Sequence, residues 1–263
     1  MKTLITCLLF CLVLQIASAQ NETLTTSLRE MEIKGPAKEI IEYIYNGKLN
    51  ETSVDTSKKP TKRIMDFDAN GNKTAEIFLS SKGALVTKLT FDYHEKNKVT
   101  VREFDADNRL NEISVFNYDD NRQLLGRDGY NPQFETAIAI FKTAYKYNAN
   151  GNRIEEDSYI GVNLLLKDLL FYDGKNRKEK VESYDMKGKL FSISKFKYDA
   201  QGDLASQEHD VNMAGMTDNA TSNYQKKDKY GNWLLQTFTQ NGKNFLLGNT
   251  VTKTITKRSI KYF

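Results

Sequence analysis

Cysteine is almost missing from this 263-residue chain; there are two, Cys7 and Cys11. Both lie in an apolar run, Leu4 to Ile16, that follows Lys2 and ends in Ala17-Ser18-Ala19. A positive start, a short apolar core and a small-x-small ending mark a cleaved export signal, with cleavage expected before Gln20. The run is too short to span a bilayer with these flanks. Cys11 sits in mid-run without small residues before it, so it does not read as a lipid-attachment site. The mature chain, about 244 residues long (263 less 19), then has no cysteine. Disulfides, zinc-thiolate sites and cysteine nucleophiles are excluded, and packing and sheet hydrogen bonds must hold the fold.

Histidine is nearly as scarce. His94 and His209 are the two in the chain, each near an expected turn or strand end, and no nucleophile-elbow motif accompanies either. A glycine-rich phosphate loop and a metal-spaced cluster are also lacking. Charge of one sign is not concentrated anywhere. Without Lys2, 37 basic side chains face 34 acidic ones, dispersed along the chain. No basic block suggests nucleic acid or a membrane surface as partner. The most basic stretch, Lys253 to Lys261, is interleaved with Ile255 and Ile260 and reads as a solvated strand face.

What the chain does have is a recurring turn. Phe67-Asp68-Ala69-Asn70-Gly71-Asn72 is its clearest copy, and Tyr147-Asn148-Ala149-Asn150-Gly151-Asn152 nearly repeats it. Asp at the first position of a type I turn bonds backbone N–H groups ahead of it, and Gly at the fourth takes the left-handed conformation. Such a turn closes a β-hairpin with a one-residue bulge. Turns recur every 12 to 14 residues or so, leaving strands of about seven to nine. The expectation is an all-β fold: a repetitive antiparallel β-hairpin meander in which sequential strands are neighbours, of roughly 14–17 strands. Residues 1–19 are read as signal peptide, 20–36 as an N-terminal leader and 37–263 as one repeat domain. Apolar residues fall on both parities, Ile113 and Val115 on one and Phe116 and Tyr118 on the other. A flat sheet would expose that cover, so a twisted or curled sheet is expected.

Tyr184-Asp185-Met186-Lys187-Gly188 and Tyr198-Asp199-Ala200-Gln201-Gly202 carry a resemblance to the YD-repeat, RHS-like family, in degenerate form over roughly residues 43 to 263. The resemblance implies a bacterial envelope or secreted protein built of β-hairpins, with carbohydrate binding suggested for some members. The shell-and-toxin role of large members does not carry over to so short a chain.

Candidate sites are few. Asp66, Asp68 and Asn70 before Gly71 mimic the start of a calcium loop, but its twelfth position is Ile77 rather than Glu. The stretch therefore reads as a turn, and no metal or cofactor is expected. The spacing breaks twice, at Tyr130–Tyr147 and Val211–Asp228, and insertions in repeat folds collect on one side. Tyr130, Phe134 and Phe141 in the first break, Met213 and Met216 in the second, and Trp233 are the candidate binding residues. Aromatics at the turns read mostly as cross-strand packing. The leading expectation is an exported, non-enzymatic scaffold or binding module, periplasmic or secreted, with a glycan or protein partner. The alternatives are a carboxylate-based glycan hydrolase and a binder of small apolar ligands in a curled sheet. The exported protein is expected to begin at Gln20, and its intact mass checks this; a mass retaining residues 1–19 refutes the cleavage.

Overall fold

The repeated turn forms as its chemistry requires. Asp68 Oδ1 accepts hydrogen bonds from the N–H groups of Asn70 and Asn72, both at 2.9 Å. Gly71 donates to the Asp68 carbonyl and Asp68 N–H to the Asn72 carbonyl, with Gly71 at φ +82°. The same pattern of side-chain bonds recurs at Asp105, Asn148, Asp173, Asp185 and Asp228. Asn108 and Asn176 take the left-handed position where other copies have Gly, the conformation Asn tolerates best after Gly.

The computed structural model describes residues 28, 31, 33–51, 53–121, 123–133, 139–200, 202, 204–213, 216–244 and 248–263, with backbone alone at 212, 213, 216–218, 243, 244 and 248. The signal segment, most of the leader and Phe134 lie outside these residues. Sixteen strands follow one another: β1 (Ala37–Asn46), β2 (Thr61–Phe67), β3 (Lys73–Leu79), β4 (Leu85–Asp92), β5 (Lys98–Phe104), β6 (Leu110–Tyr118), β7 (Leu124–Tyr130) and β8 (Phe141–Tyr147). The second half is β9 (Arg153–Ile160), β10 (Asn163–Tyr172), β11 (Lys178–Asp185), β12 (Leu190–Tyr198), β13 (Leu204–Met213), β14 (Met216–Lys227), β15 (Trp233–Asn244) and β16 (Gly248–Tyr262). Each pairs antiparallel with its neighbours in sequence, as expected of a meander.

The expected twisted or curled sheet needs one correction: it closes. β1 pairs with β16 over Ala37↔Tyr262 to Asn46↔Thr254, completing a barrel. An open meander would leave two edges of unpaired backbone, and closure alone removes both. The double apolar parity has its explanation here too. Ile113 and Val115 face outward while Ser114 and Phe116 face inward, with an unbroken register from Ile113 to Asn117. The register shifts fall instead at strand ends beside the turns, as at Asp66/Phe67 and Asn117/Tyr118.

The two ends of the barrel differ. Both termini and every second turn, from β2–β3 and β4–β5 to β14–β15, lie at one end. Four tyrosines brace this end: Tyr93, Tyr147, Tyr172 and Tyr198 donate to the carbonyls of Lys73, Leu124, Arg153 and Lys178, at 2.6–3.0 Å. Each tyrosine follows or ends one strand and reaches the start of the strand before it. These four tyrosines tie successive hairpins, whereas Tyr184 donates to Glu182 on its own strand.

The N-terminal segment spans the gap in this ring where β1 and β16 meet. Leu28 N–H donates to the Gly71 carbonyl at 3.2 Å, on one side of the seam. On the other side, Asn232 accepts from Lys34 N–H at 2.7 Å and donates to the Lys34 carbonyl and to Tyr262 Oη, both at 2.9 Å. Tyr262 also donates to Asp228; burial and that carboxylate push its hydroxyl up to about 12, so it stays a neutral donor. Leu28 and Ile33 pack with Ala37, Ile40, Met65 and Phe67 into the main apolar cluster, where Ala37, Ile40 and Met65 are fully buried.

The opposite end carries the irregular connections, including 47–60 and 131–140. The break at Val211–Asp228 proves to be long strands, since β13 has 10 residues and β14 has 12. Asn232→Ala is expected to cost about 2 kcal/mol, because it strips a buried carboxamide from the clasp. Tyr198→Phe, which loses one hydroxyl bond, should cost about 1 kcal/mol. Urea unfolding of the mature protein measures both; an unchanged midpoint for Asn232→Ala would show that the clasp does not hold the seam.

Candidate functional site: the inner wall of the barrel

Sixteen strands are in the range that encloses a lumen wider than one side chain can fill. The register assigns the inner wall, because positions opposite Ile40 and Met65 share their face around the whole barrel. Almost every buried strand residue falls on it, including Val99, Val101, Ser114, Ser183, Ser194 and Phe196.

The outer face is charged at mid-strand. Lys146 and Lys167 both bind Glu155, at 2.6 and 2.9 Å, and their hydrogen bonds hold its carboxyl down at about 2. Lys180 lies 4.1 Å from the Phe171 ring centroid and Lys257 4.9 Å from that of Tyr45, all outward-facing. A barrel that crosses a bilayer needs an apolar outer band, and each lysine at its midplane costs about 2–4 kcal/mol. Among the described residues no helix is long and apolar enough to cross a membrane.

The inner wall mixes rings, hydroxyls and paired charge. At the seam an ion-pair chain crosses four strands. Arg258 on β16 clamps Glu42 on β1 at 2.6 and 3.1 Å. Arg63 on β2 joins Glu42 at 3.4 Å to Glu76 on β3 at 2.7 Å, and Lys73 closes the chain on Glu76 at 2.7 Å. Burial alone would raise both carboxyls. The surrounding cations outweigh it, Arg258 and Arg63 at Glu42, Lys73 and Arg63 at Glu76, and hold both below their ordinary value.

Farther round, Glu103 on β5 stands opposite Glu112 on β6. Arg127 binds Glu112 at 2.5 Å and Ser114 at 3.0 Å. Among the described residues Glu103 accepts from Thr87 Oγ1 at 3.4 Å rather than from a cation, and burial, then the facing Glu112, push its carboxyl up. From β12 to β16 the wall is largely neutral, with Ser192, Ser194, Gln207, Ser222 and Gln236 on inward positions. His209 Nδ1 lies 2.6 Å from Ser194 Oγ. Both strands are in unbroken ladders there, so no N–H pair beside Ser194 is left to stabilise an oxyanion.

The candidate residues read from the sequence are not gathered at one place. Tyr130 ends β7 and faces outward, half-buried, opposite Ile113. Phe141 opens β8 on the inner face at the irregular end and is 47 % exposed. Met213 and Met216 oppose each other at the tip of the β13–β14 hairpin, at the same end but six strands away; their side chains lie outside the description. Trp233 sits at the other end, with its ring 5.4 Å from that of Tyr224 and 3.3 Å from the Arg258 guanidinium. Asp68 spends both carboxylate oxygens on its own turn, Oδ2 accepting from the Asn72 carboxamide at 3.0 Å. The seam chain was not found from the sequence. Its signal was a charge set among apolar residues of one parity, Glu42 between Ile40 and Ile44 and Arg63 before Met65 and Phe67.

No protein-family model matches the sequence and no curated protein is similar to it. Among solved structures, a porin-like protein from Bacteroides uniformis is similar at a TM-score of 0.41 and 10 % identity, over 87 % of this chain and 98 % of that one. The Tc holotoxin pore of Photorhabdus luminescens is similar at a TM-score of 0.31 and 15 % identity, over 81 % of this chain but 14 % of that one. Likenesses this weak say nothing of what the chain does.

Glu42→Gln is expected to cost about 3 kcal/mol at neutral pH, because it leaves Arg258 and Arg63 buried without their shared anion. A carboxyl lowered in the folded state contributes stability above its unfolded pKa and loses it as pH falls through the folded value. The gap between wild type and Glu42→Gln should therefore narrow as pH drops below the ordinary glutamate range. Urea midpoints measured from neutral to acid pH test this; a gap that stays constant would mean the charge of Glu42 is not what stabilises the seam.

Proposed function

We propose that the mature chain is an exported β-barrel bathed in water on its outer face, which binds a glycan on its inner wall in a bacterial envelope and performs no catalysis. The observation that carries this reading is the division of chemistry between the two faces. The outer face bears mid-strand charge unsuited to lipid. The inner wall sets aromatic rings such as Tyr224, Phe238 and Phe196 among hydroxyls and carboxamides, the mixture that stacks on and hydrogen-bonds to sugars. The degenerate YD-repeat reading fits the same picture. Its Tyr and Asp brace hairpins and close turns, which leaves the wall between them for recognition. The irregular end is the natural entrance, because the opposite end is clasped at the seam by the N-terminal segment.

A glycan hydrolase is the second reading, favoured by the Glu103–Glu112 pair. Two carboxyls face each other there, one pushed up and one held by Arg127, the division of labour an acid and its partner carboxylate need. A small apolar ligand fits less well, since charge and hydroxyls recur along the whole inner wall.

The mature protein, applied to an array of immobilised bacterial and plant glycans, is expected to bind at least one and to stay in the aqueous phase when floated with phospholipid vesicles. An empty array, or co-flotation with the vesicles, overturns the reading. Release of new reducing ends from a bound glycan, abolished by Glu103→Gln, would establish the hydrolase instead.

A further inference from the structure

At the irregular end, several inner-wall side chains keep much of their surface in water. Phe141 on β8 is 47 % exposed, and Ile160, opposite it on β9, is also exposed. The side chains of Glu112 on β6 and Arg127 on β7 are 31 % and 36 % exposed. A side chain on the inside of a closed wall is this accessible only where the lumen in front of it is open. Ser114, one inward position deeper than Glu112, is buried.

Gly129 lets the ring and the charges meet. It lies buried on β7, between Ser114 and Phe141 in the register. A Cβ added there would stand 3.4 Å from Phe141 Cβ and 3.5 Å from Glu112 Oε1. Glycine inside a strand weakens it and often marks a close approach. Here Phe141 from one neighbouring strand and Glu112 from the other close over the same spot. Arg127 is fixed beside them. Its Nε and Nη2 donate to Ser114 Oγ at 3.0 and 2.8 Å, and Nη2 donates to Glu112 Oε1 at 2.5 Å. Ser114 Oγ donates to the same Glu112 oxygen at 2.6 Å. Among the described residues these bonds occupy Nε and Nη2 of Arg127 and Oε1 of Glu112. Nη1 and Oε2 are left over, one donor and one acceptor near an exposed ring.

That combination narrows the occupant. An adjacent donor and acceptor match two neighbouring hydroxyls, since a hydroxyl both gives and accepts. The face of Phe141 suits a surface of C–H groups. The Arg127–Glu112 pair is neutral, and Glu103, opposite Glu112, repels an anion. An apolar ligand would cover the guanidinium and the carboxylate without bonding either. A pyranose ring has the C–H face and the neighbouring hydroxyls together.

We infer that Phe141, Glu112 and Arg127 form a subsite for one neutral pyranose ring at the mouth of the barrel, an inference that rests on the glycan-binding reading above. The sugar stacks on Phe141. One hydroxyl accepts from Arg127 Nη1, and its neighbour donates to Glu112 Oε2. Ser114 holds both polar groups in place beforehand, which lowers the ordering cost of binding.

The test is calorimetric titration of the mature protein with cellohexaose, xylohexaose, maltohexaose and chitohexaose, comparing wild type, Phe141→Leu, Phe141→Tyr and Glu112→Ala, with melting temperatures alongside. Wild type is expected to bind at least one hexasaccharide. Phe141→Leu and Glu112→Ala should each weaken that binding about tenfold or more, whereas Phe141→Tyr, which keeps the ring, should bind as wild type does. If either Phe141→Leu or Glu112→Ala binds as tightly as wild type, the subsite is refuted while the glycan reading stands. Equal losses in Phe141→Tyr and Phe141→Leu also refute it, because the ring is then not what holds the sugar. If wild type binds none of the four, the subsite falls, and the array decides separately whether the glycan reading falls with it. Should Glu112→Ala fail to fold, the two variants of the exposed Phe141 carry the comparison.

Discussion

The pairing of β1 with β16 is the constraint on which the rest of the structure depends. A sixteen-strand meander leaves two unpaired edges unless β1 and β16 meet, and they meet between residues more than 200 positions apart. Two devices secure the join at different levels. On the inner wall, Arg258 and Glu42 sit opposite each other in the register, and Arg63 and Glu76 carry the pairing on to β3. At the barrel end, the segment from Leu28 to Pro36 bridges the turns on either side of the seam. Buried ion pairs add little net stability but penalise every misaligned alternative, because a slipped register strands a buried charge. That suits a fold whose other hairpins are nearly interchangeable.

Closure also divides the chain into two chemistries. Every strand contributes alternately to a wall and to an outside, so the same sequence must satisfy both. The outside does so with lysines laid over rings and bridged to carboxylates. The inside buries its charges in pairs and leaves a run of neutral hydroxyls and amides between them. Aspartates of the repeat are spent on closing turns, and Tyr93, Tyr147, Tyr172 and Tyr198 on bracing one end. The inward positions, by contrast, vary from unit to unit.

Much of the architecture was legible because it is local. Asp68, Gly71 and their copies define turns within five residues, and the 12- to 14-residue spacing between them leaves room for one strand each. The double parity at Ile113–Tyr118 was visible, and the closed sheet places Ser114 and Phe116 on the inner wall and Ile113 and Val115 outside. The functional residues were less legible. Tyr130, Phe141 and Trp233 were chosen because they are aromatic near a spacing break or a turn, yet they lie on different faces or different ends. Glu103, Glu112 and Arg127 carry no mark in one dimension, because charged residues occur in every repeat.

The amino-acid sequence by itself determined the period, the turns and the antiparallel order. Each of these is set by groups that touch within one hairpin. Tertiary structure alone decided that the sheet closes, which parity faces the lumen, and which carboxylates and hydroxyls share a wall. Those outcomes depend on register summed over sixteen strands, and a shift of one residue anywhere would exchange the two faces.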